Sequence, residues 1–180
     1  IARSGLDPHV HATGERTARQ TLDAIEYARQ QVPGTDFRPA IAHNETVAVE
    51  LSGALERSKL ASAVSQVSER HEALRLRVSV DDQRVAIGRN PATLEVVDLS
   101  ASPDPRGAAR SWLEADAAKS FDLSERVFRA TLLCLSATEQ LLVLTAHAIA
   151  VDRRSLGLVL SEIGALYAGP GGELPPPSSF

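Results

Sequence analysis

The stretch Thr145-Ala-His-Ala-Ile-Ala-Val-Asp-Arg-Arg-Ser155 decides how this chain is read. Before it runs the apolar segment Leu141-Leu-Val-Leu144, and after it Leu156-Gly-Leu-Val-Leu-Ser-Glu-Ile-Gly-Ala-Leu-Tyr167. The first reads as a buried strand, and the second carries its apolar residues at helical spacing. His147 and Asp152 therefore stand where a strand ends and a helix begins. Functional residues favour such edges, because the strand is rigid and the loop beyond it is free to carry chemistry.

Working outward toward the N-terminus, Phe128 to Leu135 and Gln140 to Ala146 are two apolar runs joined by Ser136-Ala-Thr-Glu139, which predicts an antiparallel hairpin in the core. Upstream of it, Asp104 before Pro105 is an N-cap followed by proline at the first helical position, so a helix is expected over 105–119 that buries Ala109, Trp112 and Leu113. Leu74-Arg-Leu-Arg-Val-Ser-Val80 alternates cleanly and is turned back by Asp81-Asp82 into Arg84-Val-Ala-Ile87, a second hairpin. Leu94-Glu-Val-Val97 is a further short strand. A helix is expected from about 56 to 71 or 72, with Leu60, Val64 and Val67 inward. Val47, Val49 and Leu51 alternate in a half-buried strand over 45–52. The last helix is expected over 155–168. Strands and helices alternate, yet two strand pairs are hairpins, which predicts an α/β two-layer sandwich with a mixed sheet.

Three segments are expected along the chain: a flexible N-terminal arm over 1–17, a lobe over 18–168, and a linker over 169–180 rich in Pro and Gly. The lobe opens with a helix over 18–31, stopped by Pro33-Gly34.

The composition excludes several classes. With 43% hydrophobic and 23% charged residues the chain reads as a globular domain. Its net charge of −4 and lack of a Lys/Arg run argue against nucleic acid or an anionic membrane as partner. No apolar stretch is long enough to span a bilayer, and residues 1–20 hold no signal-like apolar core, so a cytoplasmic location is expected. The single cysteine, Cys134, excludes an internal disulfide and reads as a small buried hydrophobe. His9 and His11 stand two apart with no third ligand nearby, so no metal site is expected.

Three segments carry a family resemblance. The 145–155 stretch is similar to the HHxxxDG motif of the condensation domains of nonribosomal peptide synthetases, within a wider superfamily of carrier-dependent acyltransferases. Glu69-Arg-His-Glu-Ala-Leu-Arg-Leu-Arg-Val78 is similar to the family's RHExLRxxF. Lys119-Ser-Phe-Asp-Leu123 with Phe128-Arg-Ala-Thr-Leu-Leu133 is similar to the segment before the core strand. The whole order of elements resembles the N-terminal lobe of such a domain, one lobe of the chloramphenicol-acetyltransferase-like fold. The Pro-rich tail resembles the segment between that lobe and the second.

The resemblance implies amide or ester formation on substrates carried by phosphopantetheine. That group arrives on carrier proteins, so no cofactor is expected to be bound by the lobe itself. It implies a second condensation lobe as partner, with a carrier protein or tailoring enzyme beside it. In the motif, His147 matches the first His and Asp152 the Asp. Ala148 stands where the family has its catalytic His, and Arg153 where it has Gly. The resemblance gives His147 and Asp152 structural roles, and pairs Asp152 with an Arg near the RHExLR segment. Arg75 is the first candidate for that partner and Arg77 the second, although both also read as a solvated strand face. No residue is assigned as catalytic. Two readings stay open: a degenerate lobe that binds a carrier protein or tailoring enzyme, and half of an active acyltransferase that needs its second lobe. A plain α/β interaction domain stands as a third, outside the family.

Overall fold

The computed structural model describes residues 44–79 and 84–169 and Leu174, together with the backbone of 9–10 and 40–41. The short strands β1 (His9–Val10) and β2 (Ala40–Ile41) pair in parallel, so the expected arm is held by backbone bonds at one point. The expected helix over 18–31 lies outside the described residues, as does nearly all of the 169–180 linker.

The centre is a four-stranded mixed sheet in the order β3, β8, β7, β6, comprising Asn44–Ser52, Glu139–His147, Phe128–Cys134 and Leu94–Asp98. β7 and β8 form the expected core hairpin, with Phe128 opposite Ala146 and Cys134 opposite Gln140. β3 joins β8 antiparallel and β6 joins β7 in parallel. Nearly every residue of β7 and β8 is buried, because helices cover both faces at these strands.

One face packs on α1 (Arg57–Arg70) and α3 (Arg153–Ala168). Leu60, Val64 and Val67 of α1 and Leu156, Val159 and Ile163 of α3 meet Ala130, Leu132, Leu142, Leu144 and Ala146 there. Helix α2 (Pro105–Ala118) lies on the opposite face, where Ala109 with half-buried Trp112 and Leu113 packs against Leu133 and Val143. Asp104 caps α2 as expected, its side chain accepting from Gly107 N at 2.9 Å. Cys134 is a free, buried core residue. The sheet with the α1/α3 pair makes the expected mixed-sheet α/β sandwich, and α2 closes the second face.

One strand begins later than the alternation suggests. Residues Glu72–Arg75 form a 3₁₀ turn, and only then do β4 (Leu76–Ser79) and β5 (Arg84–Ile87) pair as a hairpin. Leu74 is drawn into the core, while Arg75 folds back on the end of α1. Those contacts override the alternating pattern at its first two positions.

Candidate functional site

His147 is the last residue of β8 and is buried, with 1% exposure. Its backbone makes the motif turn. His147 N donates to Val127 O at 2.8 Å, and His147 O accepts from Ala150 N at 3.0 Å and Val151 N at 3.3 Å. The ring takes part as well, since Nδ1 accepts from Ile149 N at 3.1 Å. A nitrogen that accepts a backbone N–H carries no proton, so Nδ1 is the acceptor nitrogen of the ring. Phe121 meets the ring edge to face, with centroids 6.2 Å apart.

Ala148 follows in the turn and is also buried, with 4% exposure. Beyond it, Ile149 packs with Val78 and Val127, which seats the turn against the β4–β5 hairpin. Asp152 is the N-cap of α3, its Oδ1 accepting from Ser155 N at 2.7 Å. That backbone bond, then the Ser155 side chain and the charge of Arg154, hold its carboxyl below the usual carboxylate range, against a small opposing effect of burial. Arg153 is the first residue of α3 and is exposed.

The expected Asp152–Arg75 pair is not made. Asp152 is exposed at its cap, and all three guanidinium nitrogens of Arg75 are engaged elsewhere. Its Nε donates to Ser68 O at 3.0 Å, Nη1 to Gly88 O at 2.6 Å and Nη2 to Glu69 O at 2.9 Å. Two of these acceptors are last-turn carbonyls of α1, which a helix cannot satisfy internally. Arg77 has no bond to Asp152 either; it lies against Gly88.

The buried Asp–Arg pair of this chain is a different one. Arg129 of β7 and Asp116 of α2 have side chains only 9% and 8% exposed, with Nε 3.1 Å from Oδ1. The contact is an ion pair out of hydrogen-bond alignment, which leaves Nε without an aligned acceptor. Thr145 Oγ1 donates to Asp116 Oδ2 at 2.7 Å. Arg129 Nη2 donates to Asp116 O at 3.0 Å and Lys119 O at 3.3 Å, and Asn44 Nδ2 to Ala117 O and Lys119 O. The C-terminus of α2 is thus closed by side chains from β3 and β7. The Arg129 guanidinium also lies over the Phe121 ring, 4.0 Å from its centroid. A continuous path runs Asp116, Arg129, Phe121, His147, from α2 to the motif turn.

A second polar cluster joins α1 to α3. His71 Nε2 donates to Glu162 Oε2 at 2.6 Å, and Arg70 Nε lies 3.6 Å from the same oxygen. Both partners of Glu162 belong to the segment that resembles RHExLR. Sequence reasoning assigned His71 no role and did not single out Glu162. A signal for Glu162 was present: it falls three residues after Val159 on the apolar face of α3, where a carboxylate needs a partner.

Among the described residues no group of three or more His, Cys, Asp or Glu is placed to hold a metal ion, and no helix is long and apolar enough to cross a membrane. What this geometry defines is an α/β lobe that presents a buried strand-end histidine turn at the start of a capped helix. The Condensation domain family matches residues 37–179, most of the chain, and the chain belongs to that family.

Among its relatives, the malpinin synthetase of Mortierella alpina is 34% identical over 125 residues, which are 67% of this chain and 2% of that protein. The isonitrile lipopeptide synthase of Streptomyces coeruleorubidus is 29% identical over 174 residues, 90% of this chain and 12% of that protein. The starter condensation domain of the rhizomide synthetase RzmA shares the fold, with a TM-score of 0.67 at 24% identity, over 88% of this chain and 38% of that one. The fold is therefore that of one part of a chloramphenicol-acetyltransferase-like domain, and the chain spans only a small fraction of the curated synthetases it matches.

Proposed function

We propose that this chain is a degenerate condensation lobe of a natural-product assembly line, non-catalytic by itself, that docks a carrier protein or a tailoring enzyme. The observation that carries the reading is Ala148, a buried methyl at the position where the family has its catalytic imidazole. Amide formation needs a group that orients the attacking amine, accepts its proton or supports the tetrahedral intermediate. A positioned base of that kind contributes about 10²–10⁴-fold, and a methyl group offers none of it.

His147 is a poor replacement. Its Nδ1 is occupied by a backbone N–H, and its ring is enclosed by the turn and by Phe121. Asp152 is equally committed, as a helix cap. Nδ1 of His147 and the carboxylate of Asp152 are thus engaged in holding the turn and the helix start. The second lobe is the expected partner of this one. Phosphopantetheine would enter as part of the carried substrate, and the protein is expected to be cytoplasmic.

A second reading is favoured by the same geometry. The motif turn keeps its backbone bonds, so a two-lobed protein with this lobe retains the shape of an acyltransferase site and needs only a base. The test is product formation from carrier-bound donor and acceptor, followed by mass spectrometry. The chain alone and the two-lobed protein are compared, each with and without Ala148→His. The expected outcome is no product from the unaltered proteins or from the altered single lobe, with product appearing in the altered two-lobed protein. Turnover by the unaltered lobe above the uncatalysed background overturns the proposal and makes His147 the next residue to replace.

A further inference from the structure

A cavity of about 290 Å³ lies between the β4–β5 hairpin, the 88–93 connection and the start of β7. Four arginines line it, Arg75, Arg77, Arg126 and Arg129, together with two glutamates, Glu95 and Glu125. Arg129 is already matched by Asp116. Arg75 is fixed by three carbonyl oxygens, which hold its position and leave its charge uncancelled. The side chains of Arg77 and Arg126 have neither a hydrogen-bond nor an ion-pair partner among the described residues. Apart from Arg129, the lining thus holds three arginines and two glutamates, with two of the guanidinium forks unused, in a chain whose net charge is −4.

The walls are built to hold this arrangement. Ala92 N donates to Ser68 Oγ at 2.7 Å, which ties the connection to α1, and Gly88 N donates to Arg75 O at 2.7 Å. Gly88 also makes the space that Arg77 occupies: a Cβ at this position would fall 2.8 Å from Arg77 Nε and 3.1 Å from Arg75 O. The planar guanidinium fork matches the two oxygens of a carboxylate or phosphate group.

We infer that this cavity is an oxyanion site, in which Arg77 and Arg126 grip one phosphate ester or carboxylate group while Arg75 adds fixed positive charge. Glu95 and Glu125 limit the excess charge, so the site suits a single anionic group and disfavours a polyanion such as nucleic acid. The inference is independent of whether the motif turn catalyses anything.

The test is isothermal titration of the chain with inorganic phosphate and, separately, with glutarate, at constant ionic strength and up to about 20 mM, a range that detects millimolar affinity. Saturable binding of either anion is expected. Losing a charge-assisted bond in Arg77→Gln or Arg126→Gln should weaken it at least about tenfold. Arg110→Gln, an exposed change on α2, should leave binding unaltered. Gly88→Ala keeps every charge yet crowds Arg77, and is expected to weaken binding as the arginine variants do; thermal melting checks that each variant is folded. Preference for phosphate points to a phosphate ester as ligand, and preference for glutarate to a carboxylate. The inference is overturned by absence of saturable binding of both anions, by an equal loss in Arg110→Gln, or by unchanged affinity in the folded Arg77 and Arg126 variants.

Discussion

Replacing Asp116 by Ala should be among the most damaging single changes in the described structure. The carboxylate neutralises Arg129 at 3.1 Å and accepts from Thr145 at 2.7 Å, and both its own side chain and that of Arg129 are more than nine-tenths buried. Removing one member of a buried ion pair costs roughly 3–5 kcal/mol, because the other charge is left without compensation. The orphaned Thr145 hydroxyl adds about 1 kcal/mol or more. The carbonyls of residues 116 and 119 still accept from Arg129 and return part of that loss. A net destabilisation of about 4 kcal/mol is expected, a large share of the roughly 5–15 kcal/mol that holds a domain together. Urea denaturation of Asp116→Ala, Arg129→Met and the double variant measures it. The double variant removes both charges, so it should lose less than the sum of the two single changes, with a coupling of about 2 kcal/mol or more. A loss below about 1 kcal/mol in Asp116→Ala, or strict additivity in the double variant, would refute the view that this pair is desolvated and mutually dependent.

Asp152→Ala should remove only a cap, at about 1 kcal/mol, and a urea midpoint shift several times larger would mean the carboxylate has a buried partner after all. The folded state lowers the Asp152 pKa below 3.8, so its contribution is complete above that pH and is lost as the pH falls through the folded value; the gap between wild type and Asp152→Ala should therefore close in acid. Glu162→Ala should cost about 2–3 kcal/mol, less than a fully buried pair because the side chains of Arg70 and His71 are each 20% exposed and can hydrate. Equilibrium denaturation checks this, and an unchanged midpoint would mean the clasp between α1 and α3 contributes nothing.

The core of the fold was legible because apolar periodicity and turn chemistry agreed. The β7–β8 hairpin, the Asp104-Pro105 helix start and the inward faces of α1 and α3 all follow from local pattern. The polar contacts were far less legible. Alternation placed Arg75 on a strand, but its hydrogen bonds to the end of α1 make a 3₁₀ turn there, an effect of tertiary contact that no local period contains. Arg129 stands in an apolar run, so its need for a partner was visible. That the partner is Asp116, thirteen residues earlier on a helix across the sheet, was not. Pairings of this kind depend on which strand face a residue takes and on where a helix ends.

That distinction bears on what holds the motif turn in shape. The bonds that build the motif turn run through the backbone of 147, 150 and 151, the ring of His147 and the cap at Asp152. None passes through the side chain at 148, and the turn is seated by Ile149 on Val78 and Val127. An alanine at 148 therefore leaves every one of these contacts in place. His147 faces a different constraint, since losing its ring leaves the buried Ile149 N–H without its acceptor, whereas Asp152 is exposed and its loss removes only a helix cap. Under the proposed reading, position 148 bears on catalysis, while His147 and Asp152 bear on the architecture of the turn.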